Sequence, residues 1–322
     1  MSITLLAAAC VLSVVYGTNA GGTIVAAGLT VRAFAPLVGV VVLGIAVGVA
    51  PVVFGTAVAS TVVGDLIGTS GSAGQVALLD AVVAALVTSS VLSWAGIPSS
   101  LTLALIGALA GAGLGAGVPV SWLHLAIVLL FVACAPVAGA VVAHALRRRF
   151  ERWRTPSAAR VYVTRLHVAS FLVLTFAFGA NDAQKLLAVL YVATGDVGHF
   201  GVGESVRAAW WQLAVVATLF AVGAAVGVRR MAGAVNKGVI NAQPLDAVVT
   251  ELSTASVMFT SSLFGSPVGM SQTLSGSLVG VGLSKGRGRV RWGFAGRSLN
   301  AWVATMPSAF GLAWLLGVLT TL

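Results

Sequence analysis

Long stretches of the chain carry apolar side chains at nearly every position. Each stretch is about 20 residues or longer, which is the length that an α-helix needs to cross the hydrocarbon core of a bilayer. The clearest of these runs are 37–63, 76–94, 123–146, 210–228 and 301–319. The pattern predicts an all-α polytopic membrane protein.

The composition also favours lipid as the surrounding solvent. Hydrophobic residues make up 58% of the chain and charged residues 8%, and the mean hydropathy is +1.04. A soluble protein carries about 25% charged residues to solvate its surface. The 39 glycines suit the same environment, because small residues let membrane helices approach closely and glycine permits a helix to break inside the bilayer.

The basic residues, which give a formal net charge of +10, gather in a few clusters between the apolar runs. The densest cluster lies at 147–165, and smaller ones lie at 229–237 and 285–291. Because basic segments resist translocation, we expect these segments in the cytoplasm and the uncharged termini outside a cell membrane. This placement accounts for the positive charge without nucleic acid, which we do not expect as a partner.

Two motifs occur once in each half of the chain, in the same order. An apolar run leads into Gly-Thr-Asn-Ala at 17–20 and into Gly-Ala-Asn-Asp at 179–182, so that the shared asparagines are 162 positions apart. Downstream, Gly-x-Pro precedes small hydroxyl residues around Pro98 and Pro267, which are 169 positions apart. Each motif alone is ordinary turn chemistry, but the ordered pairs at nearly constant spacing predict a duplicated half.

The basic segment 147–166 separates a first transmembrane repeat, 1–146, from a second one, 167–322. With the termini outside and this segment in the cytoplasm, each repeat crosses the membrane an odd number of times, so the repeats are inverted. Broken hydrophobic segments at matching places in two halves are typical of a transporter's binding site. We expect about 10 to 12 membrane segments, including broken helices and re-entrant hairpins.

Three acidic residues lie inside apolar runs, where an ionisable side chain is costly and often functional: Asp80, Asp182 and Glu251. Asp182 is the best candidate, because it follows a predicted helix break. Carbonyls freed by that break would join Asn181 and Asp182 in binding a coupling cation, for which sodium is one option. The alternative is a structural ion pair between Asp182 and Lys185. For Glu251 a helix-packing role is equally open, and Asp80 is expected near the end of a span.

The polar residues that follow the two prolines predict an anion site. Proline in the first helical turn leaves backbone N–H groups free after it, and these groups, the helix dipole and nearby hydroxyls bind oxyanions. Two such helix starts would face one small anion near the membrane midplane. The expected lining residues are Asn19, Ser100, Thr102, Asn181, Ser271, Gln272 and Thr273. The alternative for the hydroxyls is hydrogen bonding to carbonyls of their own helices.

The sequence offers no constellation of residues for catalysis. The four histidines are scattered, and neither a Gly-x-Ser-x-Gly elbow nor a phosphate-binding Gly-x-x-x-x-Gly-Lys loop occurs. Cys10 and Cys134 stand in apolar surroundings, where free thiols are expected. We therefore expect no enzyme, no direct coupling to ATP and no cofactor other than a sodium ion that would be transported.

The motifs resemble those of the inorganic phosphate transporters, also called phosphate permeases. Gly-Ala-Asn-Asp-Ala-Gln-Lys at 179–185 looks like the family's second-half motif, and 265–274 resembles the motif downstream of it. Further similar positions are 280–283, Trp292, Trp302, Thr305 and Pro307. The resemblance covers nearly the whole chain. It implies a symporter, a secondary active transporter that moves inorganic phosphate with a sodium or proton gradient.

The chain departs from the family's pattern in two ways. Ala20 stands where the first-half motif usually has Asp, which leaves the choice between sodium at Asp182 and a proton open, along with the stoichiometry. In the hairpin motifs, Leu101 and Leu103 replace the usual Thr and His or Gln of the first, and Gly269 and Met270 replace Ser and Thr of the second.

Two alternatives to a phosphate symporter stay open. Sulfate is also tetrahedral and is carried by some relatives, so a sulfate or other oxyanion permease of the same fold is one of them. Another is a transport-inactive homologue that serves as a partner subunit. The oligomeric state is also open, and a homodimer is one option.

Overall fold

The computed structural model describes residues 3–29, 33–69, 71–94, 99–151, 159–195, 206–235 and 243–322. These residues are almost entirely helical, and the one β contact among them is an isolated bridge between Ile67 and Val120. Seven helical stretches of the described chain, counting Ile3–Gly28 as one, are long and apolar enough to cross a membrane. The predicted all-α polytopic membrane protein is therefore confirmed.

Twelve α-helices follow one another along the described chain, some of them in short pieces. They are α1 (Ile3–Tyr16), α2 (Gly22–Gly28), α3 (Pro36–Phe54), α4 (Ala57–Ser60), α5 (Gly71–Trp94), α6 (Leu101–Gly115), α7 (Trp122–Glu151), α8 (Ala159–Ala193), α9 (Trp210–Val235), α10 (Pro244–Leu263), α11 (Met270–Ser284) and α12 (Trp292–Thr321). A π-helical segment, Gly17–Gly21, joins α1 to α2. A second one, Thr61–Asp65, continues α4.

Two helical hairpins, α5–α6 and α10–α11, each leave and return at one end of the bundle. Beside the first, the Gly68 N–H donates to the Pro119 carbonyl over 3.2 Å, so the segments before α5 and after α6 lie together. At the second, Lys285 after α11 donates to Asp246 in the first turn of α10. The returning helices have 15 residues each, fewer than a full span requires. Both hairpins therefore have the form that the sequence predicts for re-entrant segments.

The two hairpins open at opposite ends of the bundle. The long helix α7 starts beside the base of the first hairpin, where the Ser121 N–H donates to Leu66 over 3.1 Å. It ends at the base of the second hairpin, where the Arg147 guanidinium donates to Asp246 over 3.0 Å. An inverted repeat requires such opposed hairpins. The repeat itself, and the placement of the termini outside, stay predictions.

The returning helix of each hairpin packs on a long helix of the other half, α6 on α12 and α11 on α7. Glycine makes this approach close enough for backbones to touch. A Cβ atom on Gly107 would lie 2.5 Å from the Met306 carbonyl oxygen, and one on Gly276 would lie 2.0 Å from that of Pro136. Such contacts stabilise membrane helices, for which lipid supplies no hydrophobic drive toward association. The two halves therefore interlock.

The connection between the halves is shorter than the predicted basic loop 147–166. Helix α7 continues to Glu151 and α8 begins at Ala159. The intervening residues 152–158 lie outside the described part. Two of the arginines, Arg148 and Arg149, form the last turn of α7, where positive charge complements the helix dipole. The charge pattern makes the predicted loop longer than the observed connection, because arginines are favourable both in a loop and in the last turn of a helix.

The predicted helix break at 179–182 is wrong, since α8 continues through this motif to Ala193. Gly179 serves close packing instead. A Cβ atom there would lie 2.5 Å from the Ala46 carbonyl oxygen of α3. In the first half, the corresponding motif forms the π-helical turn Gly17–Gly21 within a continuous helical span, and the φ of +80° at Gly55 separates α3 from α4.

Candidate functional site

The centre of the candidate site is a buried ion pair between Asp182 and Lys185 of α8. Besides the Lys185 ammonium, Asp182 Oδ1 accepts hydrogen bonds from the hydroxyls of Tyr16, over 2.6 Å, and Thr102, over 3.1 Å. Asp182 Oδ2 accepts the backbone N–H of Met270 over 2.9 Å. A charge out of water is stable only when it is paired and hydrogen-bonded, and both oxygens of this carboxylate meet that condition.

The Lys185 ammonium joins the start of the first returning helix to the tip of the second hairpin. It donates to the Thr102 hydroxyl of α6 over 2.9 Å and to the Val268 carbonyl over 2.7 Å. Its third bond is to Asp182. An ammonium group has three N–H donors, so each of them has an acceptor and the charge is fully satisfied.

Asn181 holds the tip of the second hairpin on both sides of Pro267. Its Nδ2 donates to the Ser266 carbonyl over 3.0 Å, and its Oδ1 accepts the Val268 N–H over 3.0 Å. The backbone oxygens that are free of helical bonding therefore come from this tip and not, as predicted, from a break in α8. The Ser266 hydroxyl is buried and has no hydrogen-bond partner among the described residues.

The starts of α6 and α11 meet at this pair. Ser100 is the N-cap of α6 and accepts the Leu103 N–H over 3.3 Å. Its hydroxyl also donates to Gln272 Oε1 of α11 over 3.5 Å. Gly269, the N-cap of α11, is so close that a Cβ atom there would lie 3.2 Å from the Ser100 oxygen. Four predicted lining residues thus lie in one region: Ser100, Thr102, Asn181 and Gln272. Their role in binding an anion stays a prediction.

The side chains of the other three predicted lining residues make no hydrogen bond to this network. The Thr273 hydroxyl donates to the Gly269 carbonyl over 3.0 Å, which is the self-bonding alternative. The half-buried side chains of Ser271 and Asn19 make no hydrogen bond to any described residue. By the repeat spacing, Asn19 would face the segment around Pro98, but 95–98 are outside the described ranges.

Sequence reasoning missed two side chains that build the site. Tyr16 directly precedes the first motif, at the position that corresponds to Phe178 in the second half. Gln184 fastens the break after α3, since its Nε2 donates to the Gly55 carbonyl over 2.8 Å and its Oε1 accepts the Ala59 N–H over 3.0 Å. A polar side chain inside an apolar run was the available signal for both.

Comparison with known proteins identifies the family. Residues 16–313 match the model of the Phosphate transporter family. The chain belongs to this family. The resemblance seen in the motifs is thereby confirmed, and the chain is a multi-pass membrane protein of the Phosphate transporter family.

Several relatives carry the name "Probable low-affinity inorganic phosphate transporter". The one from Mycobacterium leprae is 34% identical over 268 residues, which cover 79% of this chain and 62% of that protein. The one from Bacillus subtilis is 26% identical, over 78% of this chain and 77% of that protein. The chain therefore spans just under two thirds of the length of the mycobacterial relative.

A solved structure titled "The sodium-dependent phosphate transporter" shares the fold. Its TM-score to this chain is 0.81, with 99% of both chains covered and 16% sequence identity. At this identity the likeness concerns the arrangement of the helices. It agrees with the interlocked hairpins described above.

The other two intramembrane carboxylates lie away from the hairpin tips. Glu251 Oε2 of α10 is 3.0 Å from His167 Nδ1 and also accepts the Ser170 hydroxyl. Asp80 accepts the Thr320 hydroxyl over 2.8 Å, near the end of α12. Among the three candidates, Asp182 is the one that touches both returning helices.

Proposed function

We propose that this member of the Phosphate transporter family is a secondary active transporter that moves inorganic phosphate across the cell membrane, coupled to a sodium or proton gradient. The family match and the names of the relatives support the substrate, and they favour transport over catalysis. The observation that carries the proposal is that the starts of α6 and α11 meet beside the buried pair of Asp182 and Lys185.

The meeting helix starts supply the donors that a tetrahedral oxyanion needs. The first N–H groups of a helix lack an acceptor within the helix, and the helix dipole makes them attractive to anions. The Ser100 hydroxyl, the Gln272 amide and the unbonded Ser271 hydroxyl stand beside these N–H groups. A phosphate ion placed here would be bound without a water shell, and several donors must converge to offset that loss.

Asp182 already accepts a hydrogen bond from one of these N–H groups. Its Oδ2 accepts the Met270 N–H at the start of α11, so the carboxylate stands where an oxygen of a bound phosphate would accept. A bound phosphate therefore competes with Asp182 for this N–H. Oδ1 stays paired with Lys185, but the displaced Oδ2 is then a buried oxygen without a hydrogen-bond donor, which is unfavourable until it takes up a proton or another cation. This competition couples the anion to the driving ion.

Uptake into proteoliposomes tests the proposal. The purified protein is reconstituted, and radiolabelled phosphate or sulfate is supplied with sodium and proton gradients imposed one at a time. Phosphate should accumulate above its external concentration under at least one gradient, and an ionophore that collapses the gradient should abolish the accumulation.

Two other outcomes would replace the proposal. Accumulation of sulfate but not phosphate would identify an oxyanion permease of different specificity. No uptake of either anion under either gradient, by protein that is monodisperse and folded, would favour a transport-inactive partner subunit. Liposomes without protein give the background for each arm.

A further inference from the structure

The Lys185 ammonium sits in a cage of three oxygens that come from three different segments of the chain. They are Asp182 Oδ1 on α8, Thr102 Oγ1 on α6 and the Val268 carbonyl oxygen before α11. Lys185 is 0% exposed. All three donors of the ammonium are used by these oxygens.

The cage has the chemistry of a site for a small monovalent cation. A carboxylate, a hydroxyl and a carbonyl from backbone outside a helix are the oxygen ligands with which transporters hold their coupling ions. The Val268 carbonyl qualifies because Val268 lies in the turn between α10 and α11. The ammonium brings one positive charge to these oxygens, as a sodium ion would.

We propose that Lys185 is a tethered cation that fills this cage and excludes sodium from Asp182. The inference rests on the proposed function, because it names the ion specificity of the same site. A second cation at Oδ1 would face the ammonium at contact distance and would find its oxygens already in use. A proton needs only one oxygen, and Oδ2 becomes available when phosphate takes the Met270 N–H. Asp182 therefore couples to protons and not to sodium.

Other parts of the chain provide a matched control for this role of Lys185. Asp246 is also buried and also binds a lysine, Lys285, but it has a second cation in Arg147. Removing the Lys285 ammonium leaves Asp246 paired. Removing the Lys185 ammonium leaves Asp182 with hydroxyl and N–H donors but no cation.

Thermal unfolding of the purified protein in detergent tests the cage without relying on transport. A ligand that binds the folded state but not the unfolded one raises the Tm, and the rise grows with the logarithm of the ligand concentration above its Kd. The Tm is measured in sodium chloride and in choline chloride of equal concentration. The parent should give the same Tm in both salts, and Lys185→Ala should have a Tm that rises with sodium. Lys185→Gln serves as a second neutral variant, should the alanine variant fail to fold.

The controls separate charge from general destabilisation. Lys185→Arg keeps the positive charge and should not respond to sodium. Lys285→Ala should not respond either, because Asp246 keeps Arg147. A sodium-dependent rise of the parent's Tm that Asp182→Asn removes would overturn the proposal. So would folded neutral variants of Lys185 whose Tm ignores sodium.

Phosphate transport by the parent protein is a second test of the proposal. Phosphate uptake driven by a proton gradient should be unchanged when choline replaces sodium, and a collapse of uptake without sodium would overturn the role of Lys185. If the parent carries no phosphate under any gradient, the proposed function fails. The Tm measurements then still decide whether Lys185 keeps sodium out of the cage.

Discussion

The two halves of the chain carry the same motif at a spacing of 162 residues but place different chemistry on it. In the second half, Asp182 and Lys185 are buried in an uninterrupted α-helix and bind both hairpins. The corresponding positions of the first half are Ala20, within the π-helical segment Gly17–Gly21, and Thr23, two residues after it. The Thr23 hydroxyl donates to the carbonyl of Asn19 in its own helix, over 2.7 Å. The charged part of the site belongs to one half alone.

The starts of the two returning helices differ in the group that accepts a hydrogen bond from their first N–H groups. Gly269 caps α11 without a side chain, and the Met270 N–H bonds to Asp182 from another helix. Ser100 caps α6 with its own hydroxyl, which accepts the Leu103 N–H. A local serine can replace the capping role of a distant aspartate. It cannot replace the negative charge.

What the halves share is packing. A Cβ atom on Gly17 would lie 2.1 Å from the Phe220 carbonyl oxygen of α9, and one on Gly179 would lie 2.5 Å from that of Ala46 on α3. Both glycines therefore let a helix of the other half approach closely. The two halves therefore share their packing glycines but differ in their charges.

The largest effect is expected from Asp182→Asn, which removes from the second half the acid that the first half lacks at Ala20. The change keeps the side-chain volume but leaves the Lys185 ammonium buried without its carboxylate. Removing one partner of a buried ion pair costs about 3–5 kcal/mol. We expect the free energy of unfolding in detergent to fall by that order and gradient-driven phosphate uptake to be lost.

The matched control is Ala20→Asn, at the corresponding position of the first half. Ala20 is half-buried and pairs with no charge, so we expect a change in stability below about 1 kcal/mol. Parent-level accumulation of phosphate by Asp182→Asn would show that the pair with Lys185 is structural only.

A smaller effect is expected from Tyr16→Phe, which gives the first half the residue type that the second half has in Phe178. The change removes the hydroxyl that donates to Asp182 over 2.6 Å. A hydrogen bond to a charged group contributes about 1.5–3 kcal/mol, and denaturant titration should show a loss in that range. Tyr162→Phe is the control, because Tyr162 is 54% exposed. Equal stabilities of the two variants would contradict the proposed support of Asp182 by the first half.

The smallest effects are expected from alanine substitutions of the two serines at the helix starts, and they should differ between the two. Ser100→Ala removes the cap of α6 and should cost about 1 kcal/mol of unfolding free energy. Ser271→Ala should change stability by less than about 0.5 kcal/mol, since the Ser271 hydroxyl has no partner within the described residues, but it should raise the apparent KM for phosphate. A loss of stability without a change in KM for Ser271→Ala would assign this hydroxyl to the fold.

The sequence predicted the residues of the site more successfully than it predicted the conformation of the backbone around them. Asp182 stood out because a carboxylate is rare in an apolar run, and the matched prolines pointed to the hairpin tips. The predicted break at 179–182 is wrong, because a glycine two positions before an asparagine is typical of a turn, whether the glycine bends the chain or lets a neighbouring helix approach. The structure separates these cases, since Gly179 meets Ala46 and α8 runs on.

The apolar runs by themselves determined that this chain forms membrane-spanning helices, because lipid leaves backbone N–H and C=O groups no partners except those within a helix. The repeated motifs likewise determined which segments form hairpins. Only the tertiary structure decided that Asp182 of α8 binds the start of α11, that Lys185 fills the cage of oxygens beside it and that Tyr16 of the other half supports the pair. Those bonds join residues up to 166 positions apart, and their geometry depends on how closely the helices pack, which local periodicity does not specify.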